Sequence, residues 1–171
     1  WLEQLTALIP GLSRVAVFWD SSPGATHLKA VQGAARALGV QLQVVEVRAP
    51  GEIEAAFSAL RGAPQALLIL PSPMTWALSG RLAELAMKHR LPATSMADGF
   101  AEAGGLLSYG PEEAESIDRC AILVAQVLGG AKPGDLPVER PTKLPLIINL
   151  KTAKALGLTV PHSVLVRADT V

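Results

Sequence analysis

Short apolar runs alternate along the chain with longer segments whose apolar residues recur at helical spacing. The runs end in polar, Pro- or Gly-containing stretches, as is typical of buried strands that lead into loops. The predicted strands cover residues 14–19, 42–47, 66–70, 92–96, 106–108 and 144–150. The segments between them place Leu, Val and Ala three or four residues apart, and this spacing predicts helices with one buried stripe.

The predicted helices separate nearly all of these strands. They cover residues 2–9, 28–38, 53–60, 78–86, 111–128 and 149–156, with one further turn in the tail. Because a helix between two strands serves as the crossover of a parallel pair, this alternation predicts an α/β fold. We expect a doubly wound, mostly parallel sheet between two helical layers, a Rossmann-like three-layer sandwich.

The helix predicted over 111–128 differs from the others because it is apolar on nearly all sides. One stripe contains Ile117, Ala121, Val124 and Leu128, and a second contains Cys120, Leu123 and Val127. Such a helix needs cover on two sides, so we expect it either between the sheet and a further body or at the centre of the core. In both cases Cys120 is expected to be a buried, inert thiol.

Composition and charge exclude several classes of function. Lys plus Arg and Asp plus Glu each number 15, so no net positive charge favours binding to nucleic acid. The apolar runs are far shorter than the ~20 residues that cross a bilayer. A single cysteine allows no internal disulfide and no Cys-rich zinc site. No targeting segment is visible in the sequence, which begins at Trp1, and we expect the chain to be processed or excised.

The usual motifs of catalysis are missing. The sequence contains no G-x-G-x-x-G, no P-loop and no G-x-S-x-G, and its three histidines lie in separate segments. Asp20 does not fit a phosphoacceptor, because Pro71-Ser72 stand where that Asp would end the third strand. Asp98 and Glu102 are either an acid/base pair or a solvated pair. We predict no catalytic residue, no metal site and no cofactor.

Polar loops follow four of the predicted strands. These loops are Asp20–Ser22, Ser72–Trp76, Ala97–Phe100 and Ser108–Gly110. In an open parallel sheet, ligands bind outside the carboxyl ends of the strands, where all four loops must lie. The loops indicate either a small-molecule site or ordinary turns, and Trp76 and Tyr109 are candidates for stacking on a ligand or for packing.

Four stretches of the sequence are distinctive. They are Gly11–Val17, Gly104–Gly110, Asp135–Lys143 and Leu146–Leu158. Together they resemble the ABC-transporter substrate-binding family that includes tryptophan-binding TrpX-like proteins, and the likeness extends over essentially the whole chain. The aromatic-amino-acid binders have a more polar, Asp- or Asn-containing sequence where this chain has Pro73 and Met74, so tryptophan specificity does not transfer.

The resemblance implies a type I periplasmic-binding-protein fold, in which two α/β lobes close on a small-molecule solute and deliver it to an ABC permease. It implies a periplasmic or otherwise extracytoplasmic location, secreted or as a lipoprotein. Residues 1–128 would be a ligand-binding lobe and 129–171 a return segment packing on it, with the first lobe outside this chain. The implied ligand-binding residues are Asp20, Ser21, Ser22, Ser72, Met74, Thr75, Asp98, Gly99 and Tyr109.

Two further expectations accompany this one. A ligand-sensing effector domain of a regulatory protein has the same fold and is the alternative function. A face left uncovered by the first lobe also predicts self-association of the chain.

Overall fold

A computed structural model describes all residues, 1–171, and contains one six-stranded sheet. The strands are β1 (Arg14–Trp19), β2 (Gln41–Glu46), β3 (Ala66–Ile69), β4 (Ala93–Ser95), β5 (Leu107–Tyr109) and β6 (Leu146–Ile148). Their order across the sheet is β2-β1-β3-β4-β5-β6. Strands β1 to β5 pair in parallel, and β6 pairs antiparallel with β5. The predicted α/β fold with a mostly parallel sheet is confirmed.

Nine helices connect or flank the strands. They are α1 (Leu2–Leu8), α2 (Thr26–Leu38), α3 (Ile53–Ser58), α4 (Pro73–Ala77), α5 (Ser79–Lys88), α6 (Gly99–Glu102), α7 (Glu113–Leu128), α8 (Leu150–Ala155) and α9 (His162–Leu165). Helix α6 was predicted as a loop, because four residues are too few to show a helical period. The Asp98 side chain begins it by accepting a hydrogen bond from the Gly99 backbone N–H. No helix combines the length and hydrophobicity needed to cross a membrane.

Helices cover both faces of the sheet, and each face has its own apolar core. Val15 and Val17 of β1 belong to the core beneath α1, α2 and α8, whereas Ala16 and Phe18 belong to the core beneath α3 and α5. The continuous apolar run of β1 follows directly, since successive side chains of a strand point to opposite faces. The predicted three-layer sandwich is therefore present.

Helix α2 shows how far the predicted stripes hold. Leu28, Val31 and Ala35, which recur at helical spacing within the predicted helix 28–38, are buried, and Gly39 ends the helix in the left-handed conformation. Leu38, the next apolar residue at this spacing, is exposed. It is the last residue of α2, next to the Gly39 cap.

Helix α7 packs against neither face of the sheet. None of its residues is buried, so the expectation of a core helix covered by this sheet is wrong. Cys120 is exposed rather than buried for the same reason. The chain after α7 is also mostly exposed until Pro145. The predicted division of the chain at residue 128 stays a prediction.

The last segment of the chain returns to the lobe. Asn149 caps the start of α8, since its Oδ1 accepts a hydrogen bond from Thr152 N–H at 2.9 Å. Its Nδ2 donates to the Ala101 carbonyl oxygen at 2.8 Å, which ties α8 to α6. Val164 of α9 is buried in the core beneath α1 and α2.

Candidate functional site

The strand order places one crevice at the carboxyl-end edge of the sheet. Strand β1 lies between β2 and β3. The connection after β1 leads to β2 on one side, and the connection after β3 leads to β4 on the other side. In doubly wound sheets, the loops at such a reversal of strand order diverge and leave room for a ligand. Asp20 directly follows β1, and Ser72 lies three residues after β3.

Asp20 is a buried carboxylate at this crevice. Its Oδ1 accepts a hydrogen bond from the Ser22 backbone N–H at 2.8 Å, and 5% of its surface is exposed. Burial alone would raise the pKa of Asp20. Hydrogen bonds from the Ser22 backbone N–H and the hydroxyls of Ser22 and Ser72 outweigh burial and lower this pKa below its ordinary value. The crevice therefore contains a fixed negative charge at neutral pH.

Ser72 and Thr75 hold each other in a capping box at the start of α4. Ser72 N–H donates to Thr75 Oγ1 at 2.9 Å, and Thr75 N–H donates to Ser72 Oγ at 3.1 Å. Thr75 Oγ1 also donates to the Leu70 carbonyl oxygen at 2.9 Å. Both side chains are buried. They fix the conformation of the loop, and the Ser72 hydroxyl in addition helps to lower the pKa of Asp20.

A cavity of about 430 Å³ opens beside Asp20. Asp20 and Arg48 form its charged part, and Pro50, Met74 and Leu78 supply apolar surface. Ser22 also lines the cavity. Of the nine predicted ligand-binding residues, the structure thus brings Asp20, Ser22 and Met74 to one cavity.

Arg48 is the functional candidate that the sequence analysis missed. It follows β2, whose carboxyl end lies at the same sheet edge as those of β1 and β3. Its Nη2 donates to Glu46 Oε2 at 2.7 Å. Hydrogen bonds from Arg48 and then from the Ser21 hydroxyl lower the pKa of Glu46. The sequence signal for Arg48 is its position just after a strand, because in a parallel sheet the residues after each strand lie at the same edge.

Asp98 and Gly99 lie further along the same edge and line a separate cavity of about 680 Å³. Both carboxylate oxygens of Asp98 accept hydrogen bonds from backbone N–H groups. Oδ1 accepts from Gly99 N–H at 2.9 Å, and Oδ2 accepts from the N–H of Glu113, the first residue of α7, at 3.3 Å. Glu102 lines this cavity too, together with Lys143. Asp98 therefore links the loop after β4 to the segment that leads away from the lobe.

Three other candidates lie outside the Asp20 cavity. Tyr109 is half-buried and packs against the core beneath α1 and α2, and its carbonyl oxygen accepts from Trp1 Nε1 at 2.6 Å. Trp76 packs against the other core. The Ser21 hydroxyl acts on Glu46 instead, whose pKa it helps to lower. No group of three His, Cys, Asp or Glu side chains forms a possible metal site in the structure.

Comparison with solved structures reveals close likeness of fold. An ABC domain in complex with L-Trp from Streptococcus pneumonia superposes with a TM-score of 0.88 at 24% identity. A conserved domain protein from Vibrio cholerae gives 0.88 at 22%. The ligand-free, open structure of a substrate-binding protein with adhesive properties from Clostridium difficile gives 0.72 at 20%. In each comparison 99% of this chain is matched, and it spans 58% of the other chain.

Sequence comparison assigns the family. No curated protein sequence matches the chain. The family described as ABC transporter substrate binding protein matches residues 2–171, nearly the full length. The chain therefore belongs to the ABC transporter substrate binding protein family.

Proposed function

We propose that this chain is the second lobe of a solute-binding protein of an ABC import system. It holds a small solute in the crevice between β1 and β3, and a first lobe outside this chain closes over the solute. The closed protein then delivers the solute to the permease. The proposal places the protein outside the cytoplasm and assigns it binding without bond-making.

The buried Asp20 carboxylate is the observation that carries this proposal. A buried carboxylate that stays charged, and whose Oδ1 accepts from the Ser22 N–H, is ready to accept a hydrogen bond from a ligand ammonium group. Arg48 lines the same cavity and offers a guanidinium to a ligand carboxylate. Met74 and Leu78 provide an apolar wall. This combination favours an amino acid or a similar zwitterion with an apolar part.

The other predicted residues have supporting parts in this proposal. Ser72 and Thr75 shape the loop, because their hydroxyls are engaged in the capping box. Asp98 positions backbone amides with both oxygens, so we assign it and Gly99 to the rim that meets the first lobe. Ser21 lies in the same loop as Asp20 and supports it, and we assign Tyr109, which ends β5, to the same rim as Asp98.

The test uses the full-length protein. A thermal-shift screen of amino acids, sugars and nucleosides identifies the solute, and calorimetry measures its affinity. Asp20→Asn should weaken the affinity by about 10- to 100-fold, the range expected for a lost hydrogen bond to a charged group. Asp118→Asn, which changes an exposed Asp on α7, is the matched control. Equal affinity of the Asp20→Asn protein and the unaltered protein would refute the assignment of the crevice.

Mass spectrometry of the released solute separates binding from catalysis. A binding protein returns the solute chemically unchanged after prolonged incubation, whereas an enzyme converts it. Conversion that is lost in Asp20→Asn would overturn the non-enzymatic proposal.

A further inference from the structure

The edge of the sheet opposite the crevice is formed by the segments that lead into the parallel strands. The amino ends of β1 to β5 all lie at this edge, because these strands pair in parallel. Helix α8 joins them, since β6 runs antiparallel to β5 and therefore ends there. Asn149 N–H donates to the Leu106 carbonyl oxygen at 2.9 Å, and Thr152 Oγ1 donates to the Gly104 carbonyl oxygen at 2.9 Å. The segments of this edge are residues 9–14, 36–41, 59–66, 87–92, 103–106 and 149–158.

This edge contains cations and no carboxylate side chain. Its segments include seven Lys and Arg residues and no Asp or Glu, although the chain as a whole has 15 of each charge. All seven side chains belong to exposed residues, and none of them forms an ion pair. The surface that they form is called the basic face below, and its cations are Arg14, Arg36, Arg61, Lys88, Arg90, Lys151 and Lys154. The net charge of zero therefore conceals a strongly uneven distribution of charge.

Helix stability explains only part of the basic face. Arg36 and Lys88 lie in the last turns of α2 and α5, where a cation offsets the partial negative charge of the helix end. Lys151 lies in the first turn of α8, where a cation opposes the helix dipole. Arg14 begins a strand, and no helix dipole acts along it. The cations thus include members that the fold itself does not require, which indicates an anionic partner.

Two of the arginines line a hollow of about 100 Å³. Arg14 and Arg61 supply its cations, and Gln41 and Gln43 also line it. The hollow is far smaller than the ~300 Å³ or more of a pocket that encloses a small metabolite. Arginine side chains bind phosphate oxygens with two parallel N–H donors. The hollow therefore fits a single phosphate group that remains attached to a larger body outside it.

Exposed leucines accompany the cations at both ends of the basic face. Leu38 is 40% exposed and lies two residues after Arg36, beside β2. Leu150 is 41% exposed and precedes Lys151, beside β6. Strands β2 and β6 are the two outer strands, and five spacings of about 4.8 Å place them about 24 Å apart. A broad surface that combines cations with exposed apolar side chains is typical of proteins that lie on an anionic membrane.

We propose that the basic face docks on the anionic phospholipid headgroups of a membrane. Arg14 and Arg61 hold one headgroup phosphate in the hollow between them, the other cations lie over neighbouring headgroups, and Leu38 and Leu150 enter the interface. The crevice is at the opposite edge of the sheet, so solute binding and membrane docking use separate surfaces. Docking keeps the protein beside the membrane in which a permease would lie, independently of the solute.

Sedimentation with lipid vesicles tests the docking. The full-length protein, prepared with no lipid group attached, should bind vesicles that contain phosphatidylglycerol and should not bind vesicles of phosphatidylcholine alone. Raising the salt concentration from about 0.1 M to about 1 M should weaken the binding about tenfold or more, because the Debye length falls from about 10 Å to about 3 Å. These two comparisons use the unaltered protein and do not depend on the folding of a variant.

Matched substitutions test whether the basic face is the surface that binds. Arg61→Gln with Lys88→Gln should weaken binding to phosphatidylglycerol vesicles about 25-fold, about fivefold for each cation. Lys29→Gln with Arg167→Gln removes the same charge and is the control. Both control residues are exposed and lie towards the crevice edge, Lys29 in the first turn of α2 and Arg167 two residues before Asp169, whose N–H donates to the Leu146 carbonyl oxygen. The control should bind the vesicles as the unaltered protein does.

Four results would overturn the proposal. One is equal binding to the two kinds of vesicle, and another is an equal loss of binding in the Arg61/Lys88 variant and in the control. A third is displacement by inorganic phosphate at an ionic strength at which chloride has no effect, which would assign the hollow to free phosphate. The fourth is binding to the permease in phosphatidylcholine nanodiscs that the Arg61/Lys88 variant loses, without binding to vesicles, which would assign the face to an acidic protein. Solute affinity of this variant, measured by calorimetry, should stay unchanged, so the failure of the docking and the failure of the solute site are distinguishable.

Discussion

Two buried hydroxyls on neighbouring strands should respond to removal in opposite ways. Thr94 Oγ1 of β4 is fully buried and has no hydrogen-bond partner in the protein. Ser108 Oγ of β5 accepts from Ala101 N–H at 2.9 Å and donates to the Asp98 carbonyl oxygen at 3.1 Å. Thr94→Val removes an unpaired group and keeps the side-chain shape, whereas Ser108→Ala leaves two backbone groups without their partner.

The magnitudes follow from the burial of each group. An unpaired buried polar group costs about 1–3 kcal/mol, so Thr94→Val should raise the free energy of unfolding by about 1 kcal/mol. Ser108→Ala should lower it by about 1–3 kcal/mol for the same reason. In a protein of this size 1 kcal/mol corresponds to about 2–4 °C in Tm. The two Tm values should therefore differ by at least about 4 °C.

Thermal unfolding of both variants, followed by circular dichroism and calorimetry, measures this difference. Ser108→Ala should also weaken solute affinity, since Ser108 holds the loop that contains Asp98. A fall in Tm for Thr94→Val as large as that for Ser108→Ala would refute the reasoning, because it would mean that the Thr94 hydroxyl stabilises the sheet.

Three further predictions concern the crevice and the segment that leads to α7. Because the folded pKa of Asp20 lies below its ordinary value, its contribution to stability is present above about pH 4 and is lost as pH falls through the folded pKa; acid titration of Tm should show a smaller loss in Asp20→Asn. Gly110→Ala should destabilise the protein by about 2 kcal/mol or more, since the added Cβ would lie 2.5 Å from the Met96 carbonyl oxygen; calorimetry measures this. Glu113→Pro removes the backbone N–H that donates to Asp98, whereas the proline itself fits the first position of a helix. Solute affinity, measured by calorimetry, should therefore change by up to about fivefold.

Each of these predictions has a distinct contrary result. Parallel pH profiles for Asp20→Asn and the unaltered protein would show that the Asp20 carboxylate is not held in its charged form by folding. An unchanged Tm for Gly110→Ala would show that the backbone at Met96 can move away from the added Cβ without loss of stability. For the third, Glu113→Ala keeps the backbone N–H and is the control. Identical affinities of Glu113→Pro and Glu113→Ala would remove any role for the Asp98 bond.

The sheet could be predicted from the sequence because its strands are buried on both faces. Val15 to Phe18 form an unbroken apolar run, which is typical of a strand that is buried on both faces. The regular recurrence of such runs indicates parallel pairing. The position of Asp20 at the sheet edge follows from that topology. The effect of Ser72 on the pKa of Asp20 does not, because the two residues are far apart in sequence and meet only through the strand order.

The environment of α7 could not be predicted in the same way. A stripe such as Ile117 to Leu128 shows that a helix needs cover, but it does not show which surface provides that cover. The same pattern fits a helix on this sheet, and the exposure of Cys120 decides against that location. Arg48 was missed for another reason. Its loop carries few of the small polar residues that marked the other strand ends.

The antiparallel pairing of β6 with β5 has a consequence for synthesis on the ribosome. Leu146 is made 37 residues after Tyr109, its partner across the sheet. At about 5–20 residues per second, the edge of β5 waits about 2–7 s for its neighbour after its own translation. During that interval the nascent chain presents an open strand edge, which is the kind of surface that chaperones shield and that aggregation exploits. The sheet is therefore complete only once β6 has been translated.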